Sequence, residues 1–403
     1  MAVSDLGTIR RGLETLWTDD RGAVLLAIAA GWFLSIGVRL VYPVLLPALR
    51  TEYGLSLSQA GLLLSVLWVA YALGQLPGGM FADRFGEGRI LVVSTTLSAV
   101  TIALVATAAT VSVLFAATAL FGLATALYGV ARYTALSDLF PDNDGAAVGI
   151  TLAAGEVGNA LLPPLAGFIA AALAWQYGFG FTVPLFLGVS LYLWLALPAR
   201  TSGPTSAVDS LSLETGRYVL VALAKPAIVI ATLVQLLGFA VWQVYTGFYP
   251  TYLIEVKGLP TAFVTVMFGL FFALGVVVQP LSGAAYDRFG IRRSLPAVMG
   301  CAAVGLALFP LLEGLVPILL ITMLSSTLLG VTVMTMPYLT GALPTDMQGT
   351  GLGTIRTTFM LIGAGAPAVA GVLADLDLFD EVFFLLAGLA VVALALSQLL
   401  PDQ

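Results

Sequence analysis

The chain has 403 residues, of which 60% are hydrophobic and 9% charged, with a net charge of −6 and a mean hydropathy of +1.03. Soluble domains carry about 25% charged residues, so this chain cannot cover itself with a water-facing surface; soluble enzyme, nucleic-acid binder and disordered scaffold are excluded. Histidine is absent and Cys301 is the single cysteine, which rules out an internal disulfide and leaves a zinc or haem site almost no ligands. Neither Lys225 nor Lys257 follows a glycine, so there is no Walker-type phosphate loop, and no cofactor is expected.

Residues 1–22 mix Asp, Glu and Arg without an apolar h-region, which predicts a cytosolic segment and not a signal peptide. Apolar runs long enough to cross a bilayer, about 20 residues each, follow at 23–49, 59–81, 89–109, 111–136, 145–172 and 178–197. After a polar stretch (PARTSGPTSAVDS) they resume at 226–253, 261–284, 294–312, 315–340, 350–372 and 381–400. Continuous runs without ten-residue alternation predict helices and not a barrel. The expected fold is therefore an all-α polytopic membrane protein with twelve transmembrane helices. Its halves are 23–197 and 226–400, joined by a cytosolic linker, 198–225, whose second part reads as an interfacial helix ahead of Pro226. Of the basic residues between the spans, all but Arg50 and Lys257 fall on one side, which places both termini in the cytosol. The acidic residues Glu52, Glu255, Glu313, Asp375, Asp377, Asp380 and Glu381 fall on the other.

The halves repeat in parallel. A shift of 204 residues carries Gln75 onto Gln279, Gly79 onto Gly283, and Asp83-Arg84-Phe85-Gly86 onto Asp287-Arg288-Phe289-Gly290. It also carries Asp142 onto Asp346, Gly149 onto Gly353 and Pro163 onto Pro367. Two parallel six-helix repeats suit a rocking-bundle transporter with its solute site between them; a pore or a membrane enzyme has no such requirement.

With these residues the sequence resembles the major facilitator superfamily, whose loop after the second helix reads G-x-x-x-D-R-x-G. The motif stands here as Gly79, Asp83, Arg84 and Gly86, and again as Gly283, Asp287, Arg288 and Gly290. The resemblance implies that Asp83 and Asp287 meet the starts of helices 11 and 5, where a carboxylate suits a positive helix end, and lock a closed cytosolic gate. The family often places a basic residue directly after the last glycine; this chain has Glu87 and Ile291 there, with Arg89, Arg292 and Arg293 nearby.

Four ionisable residues lie within the spans: Arg39, Arg132, Glu156 and Arg356. Each costs about 2.5–3.5 kcal/mol at the bilayer centre even on the mildest scale, so each demands a reason. The positive excess favours an anion, which the planar guanidinium fork pairs with directly. The resemblance puts helices 1, 4, 7 and 10 around the central cavity. An arginine on helix 1 with one on helix 4 resembles the organic-anion symporter branch, although Val38 stands where that branch commonly has an acidic residue. Arg132 either binds solute or reaches the cytosolic interface, and Arg356 reads as a gate or snorkelling residue.

Helical spacing groups Ser35, Arg39 and Tyr42, and likewise Thr118, Thr125, Tyr128 and Arg132. Helix 7 offers Gln235, Trp242, Gln243, Tyr245 and Thr246, and helix 10 offers Ser325, Thr332 and Thr335. Arg39, Arg132, Tyr42, Tyr128, Trp242 and Gln243 are the candidate substrate ligands. Glu156, with Asn159 one turn on, is the candidate coupling residue, either as a proton carrier whose pKa burial raises or as a fixed ion-pair partner. Together these residues predict a plasma-membrane secondary transporter, monomeric and proton-coupled, that moves a small anion by alternating access. Its competitors are proton-driven efflux of lipophilic or cationic compounds and a membrane sensor without flux. The lipid bilayer, the small-molecule solute and protons are the expected partners, with no nucleic acid.

Overall fold

A computed structural model describes residues 21–201, 223–344 and 348–401. Most of the expected N-terminal segment and of the interfacial helix before Pro226 lies outside the described residues, as does Asp346. Among the described residues there are no strands, and twelve helices are long and apolar enough to cross a membrane. In chain order they are α1 (Arg21–Tyr53), α2 (Leu57–Phe85), α3 (Glu87–Ala106), α4 (Val111–Leu139), α5 (Asp144–Ala172) and α6 (Trp175–Ala196). The second set is α7 (Pro226–Glu255), α8 (Thr261–Phe289), α9 (Ile291–Leu308), α10 (Leu315–Ala342), α11 (Gln348–Asp375) and α12 (Phe379–Ser397). The chain is a multi-pass membrane protein. Leu73, Leu76, Leu195, Val276 and Leu320 are among the many exposed apolar side chains, the mark of a protein whose outer solvent is hydrocarbon.

Helix ends follow backbone chemistry more closely than hydropathy. The run expected at 294–312 is a helix from Ile291 to Leu308, because Gly290, at φ 73°, starts it and the chain turns at Phe309–Pro310. Gly86 does the same for α3 at φ 97°. This left-handed backbone favours glycine, which explains why the last glycine recurs in both copies of the motif. Breaks also occur within spans. In α1 the Leu40 N–H bonds the Gly37 carbonyl at 3.1 Å, a step of three residues, and Pro43 has no N–H to return to the Arg39 carbonyl. Arg39 is therefore the last residue of the stretch Arg21–Arg39, where C-terminal carbonyls favour a cation.

The described residues of Met1–Val41 and Ala70–Thr205 form one compact unit. Within it, α1 and α5 approach backbone to backbone: a Cβ on Gly158 would lie 2.3 Å from the Phe33 carbonyl oxygen, and one on Gly37 2.7 Å from that of Gly158. Such closeness is how small residues pack helices in a bilayer. Gly158→Val is expected to cost about 3 kcal/mol or more, since the obstacle is main chain that cannot rotate away. A fall in the detergent melting temperature checks this, with Gly149→Ala, which would meet nothing within 4 Å, as the silent control on the same helix.

The described residues of Tyr42–Val69 and Ser206–Gln403 form the second unit. Here the hairpin joining α1 to α2 packs on α7 and α11. Arg50 pairs with Glu255, and Asp375 accepts the first two N–H groups of α2, Leu57 at 2.7 Å and Ser58 at 2.9 Å. A carboxylate bonded to helix-start donors is charge-assisted and suits the positive end of the helix. Ser65 Oγ accepts the Ala368 N–H at 3.0 Å, just past the break in α11 at Gly365. Between these bonds, a Cβ on Gly61 would lie 2.1 Å from the Pro367 carbonyl oxygen, and one on Gly371 2.3 Å from that of Leu57.

Candidate functional site

The first unit holds Arg39 and Arg132, each only 1% exposed. Both anchor on their own helix: Arg39 Nε donates to the Ser35 carbonyl at 3.0 Å, and Arg132 Nη1 to the Gly129 carbonyl at 2.6 Å. Both are covered by aromatic rings. The Arg132 guanidinium carbon lies 3.4 Å from the centre of the Trp32 ring and 4.0 Å from that of Tyr133. That of Arg39 lies 3.7 Å from Tyr71 and 5.8 Å from Trp32. Such contacts contribute about 2 kcal/mol each when desolvated. They explain how these two cations are tolerated at this depth.

Trp32 is thus common to both arginines, and sequence reasoning did not single it out. Its spacing of seven residues from Arg39 does put both on one helical face. The edge of its indole sits in a notch on α5, where a Cβ on Gly155 would be 2.3 Å from Trp32 Nε1. Gln75 was noticed only as a repeat match. Its Nε2 is a buried donor with no hydrogen-bond partner among the described residues, 2.9 Å from where a Gly129 Cβ would stand. A buried donor of this kind suits an acceptor-rich ligand.

The remaining candidates in this unit divide. Tyr128 is fully buried and its hydroxyl donates to the Ile28 carbonyl at 2.7 Å, tying α4 to α1. Thr125 bonds back to the Phe121 carbonyl. Glu156 is half-buried and accepts from Asn159 Nδ2 at 3.5 Å; it follows Gly155, so the candidate coupling residue is the chain neighbour of the Trp32 notch.

Tyr42, Trp242, Gln243 and Arg356 belong to the second unit. Trp242 stacks on Phe239 (ring centres 5.8 Å, planes 22° apart) and meets Trp68 edge-on at 5.6 Å. Phe239 is lodged where a Gly363 Cβ would be 2.5 Å away, and packs on Phe359. Gln235 ties α7 to α10 by accepting from Thr335 and donating to Thr332 at 3.1 Å. Gln243 is 2% exposed and its Nε2 has no hydrogen-bond partner among the described residues. Tyr42 is fully buried, and Arg356 is half-buried on α11.

The motif residues end α2 and α8 alike. Arg84 lies 5.3 Å over the Phe85 ring, and Arg288 5.2 Å over Phe289. Gly79 faces Val130 on α4, and Gly283 faces Val333 on α10. What distinguishes the first copy is the start of the linker. Arg200 Nη2 donates to the Asp83 and Arg84 carbonyls at 2.9 and 2.8 Å, which satisfies two C-terminal acceptors of α2. Glu87, 1% exposed, accepts from the Thr201 N–H and hydroxyl, both at 3.1 Å. The departure from the family pattern at Glu87 thus serves as an anchor for the linker. In the second copy Ile291 occupies the place, and Gln398 of the C-terminal segment bonds the Arg292 carbonyl instead.

Comparison with known proteins agrees with this architecture. The model of the Major Facilitator Superfamily matches residues 27–367. A probable sulfoacetate transporter of Cupriavidus necator is 27% identical, over 93% of each chain. The hexuronate transporter of Bacillus subtilis is 24% identical, over 94% of each. A bacterial homologue of the human lysosomal transporter Spinster, solved in an inward-facing, unoccupied conformation, superposes with a TM-score of 0.82 at 17% identity, over 95% of this chain and 97% of that one.

Proposed function

The chain belongs to the major facilitator superfamily, and from that premise we propose that it carries a small organic or inorganic anion across the plasma membrane by alternating access, coupled to protons and working as a monomer. The observation that carries this reading is the pair of buried guanidiniums, Arg39 and Arg132, that share Trp32 as an aromatic neighbour. A carboxylate, sulfonate or nitrate pairs with a guanidinium through two parallel N–H···O bonds. Two relatives similar over nearly their whole length are named for sulfoacetate and hexuronate, both anions at neutral pH. Arg84, Arg288 and their basic neighbours face the cytosol under the positive-inside rule. There Asp83 and Asp287 hold the gate, with Arg356 near it. Trp242 and Gln243 contribute the second unit's contacts to the solute.

Glu156 is the coupling residue in this scheme, because it is the mid-span carboxylate and adjoins the Trp32 notch. The test is uptake of sulfoacetate, glucuronate and nitrate into proteoliposomes, with and without an inward-directed proton gradient. The gradient is expected to stimulate uptake of at least one anion several-fold, and Glu156→Gln to abolish the stimulation while binding persists. Binding without flux would convert the reading to a sensor, and movement of lipophilic cations alone to an exporter.

A further inference from the structure

We infer that Trp32 is a specificity-determining residue: by covering the face of the Arg132 guanidinium and flanking that of Arg39, it confines an incoming anion to the guanidinium planes and thereby selects oxoanions against halides. The inference rests on the anion reading above and deepens it.

The geometry carries the argument. At 3.4 Å between the Arg132 guanidinium carbon and the centre of the indole, the two groups must lie face to face, because any steep tilt would drive a guanidinium nitrogen into the ring. Tyr133 at 4.0 Å adds a second aromatic neighbour to that cation, and the Tyr71 ring centre lies 3.7 Å from the Arg39 guanidinium carbon. The N–H donors of a guanidinium all lie in its plane. Trp32 over the Arg132 guanidinium and Tyr71 close against that of Arg39 narrow an anion's approach to the edges, where the donors point. There a carboxylate, sulfonate or nitrate forms two parallel N–H···O bonds. A spherical halide has no second acceptor to match the fork, and the ring denies it the close approach over the face that would compensate.

Trp32 is held to this task by α5. Its Nε1 edge fills the space a side chain at position 155 would take, so Gly155 is a glycine for the sake of the indole. This gives two independent ways to disturb the stack: shorten the ring, or push it.

The experiment measures thermal unfolding of the purified full chain against sodium acetate, methanesulfonate, nitrate, chloride and bromide at constant ionic strength, with Arg39→Ala as the reference for non-specific salt effects. Ligands that bind the folded form raise its melting temperature. The wild type is expected to respond to at least one oxoanion at a concentration tenfold or more below that needed for chloride. Trp32→Leu is expected to bring the two within about twofold, and Trp32→Phe, which keeps a ring face, to preserve the wild-type order. Gly155→Ala should behave like the leucine variant, and it carries the test if that variant does not fold. A leucine or alanine variant with wild-type preference overturns the inference, as does a phenylalanine variant as unselective as leucine. Anion binding by the wild type without oxoanion preference overturns the inference alone; absence of any anion response removes the anion reading with it.

Discussion

Replacing Arg39 by alanine is expected to weaken binding of the transported anion about 100-fold, corresponding to about 3 kcal/mol at 1.4 kcal/mol per tenfold. Truncating one member of a buried, hydrogen-bonded charge pair costs about 2–5 kcal/mol, and Arg39, 1% exposed, meets that description once a carboxylate or sulfonate is bound. Arg39→Lys is expected to recover only part of the loss. The ammonium keeps the charge but lacks the planar fork and its contact with Tyr71. Titration calorimetry on the three proteins checks both statements, and unchanged affinity in Arg39→Ala would end the anion assignment. Arg132 should behave similarly, because its side chain too lies against two rings, Trp32 and Tyr133, and bonds a carbonyl of its own helix, that of Gly129.

Much of this was legible from residue order. Twelve spans, the parallel repeat and the buried arginines follow from apolar length, a constant shift and the cost of charge in hydrocarbon. Helix ends were less legible, because hydropathy records where a chain avoids water and not where its hydrogen bonds stop. The expected 89–109 ends at Ala106, and 381–400 begins at Phe379 and ends at Ser397. In the candidate site, the arginines within the spans were legible and the rings that lie over them were not. Trp32 shares a face with Arg39, yet nothing in the sequence says that it also reaches Arg132. Tyr71 lies on a different helix, and only the rotation of α2 brings it over Arg39. Glu87 read as a departure from the family loop; its meaning depends on Thr201, whose approach no spacing rule predicts. The acidic-end contacts were equally hidden. Arg50 and Glu255 stand far apart in sequence, and their pairing follows from the hairpin between α1 and α2 packing on α7 and α11.

That packing yields the other large expected effect: Gly371→Val should abolish transport while leaving the protein folded. Position 371 is where α11 meets the start of α2 with no side chain between, 2.3 Å from the Leu57 carbonyl oxygen to the place a Cβ would occupy. A valine there forces the helices apart and disturbs the neighbouring bonds from Leu57 and Ser58 to Asp375. The penalty falls on the arrangement in which this contact is made. In the alternating-access cycle proposed above, this contact forms and breaks, so a state in which it is already broken escapes the penalty. A cost of about 3 kcal/mol to the closed arrangement lowers its population about 100-fold relative to the open one, and a transporter confined to one arrangement does not turn over. Asp375→Ala removes the hydrogen bonds from Leu57 and Ser58 but forces no backbone apart, and should shift the same balance less, slowing transport several-fold. Labelling discriminates these outcomes: with the exposed Cys301 replaced by serine, a cysteine introduced at Ser58 should react faster with a membrane-impermeant maleimide in Gly371→Val than in the parent. Equal reactivity together with full transport would mean that the contact between α2 and α11 is not a gate.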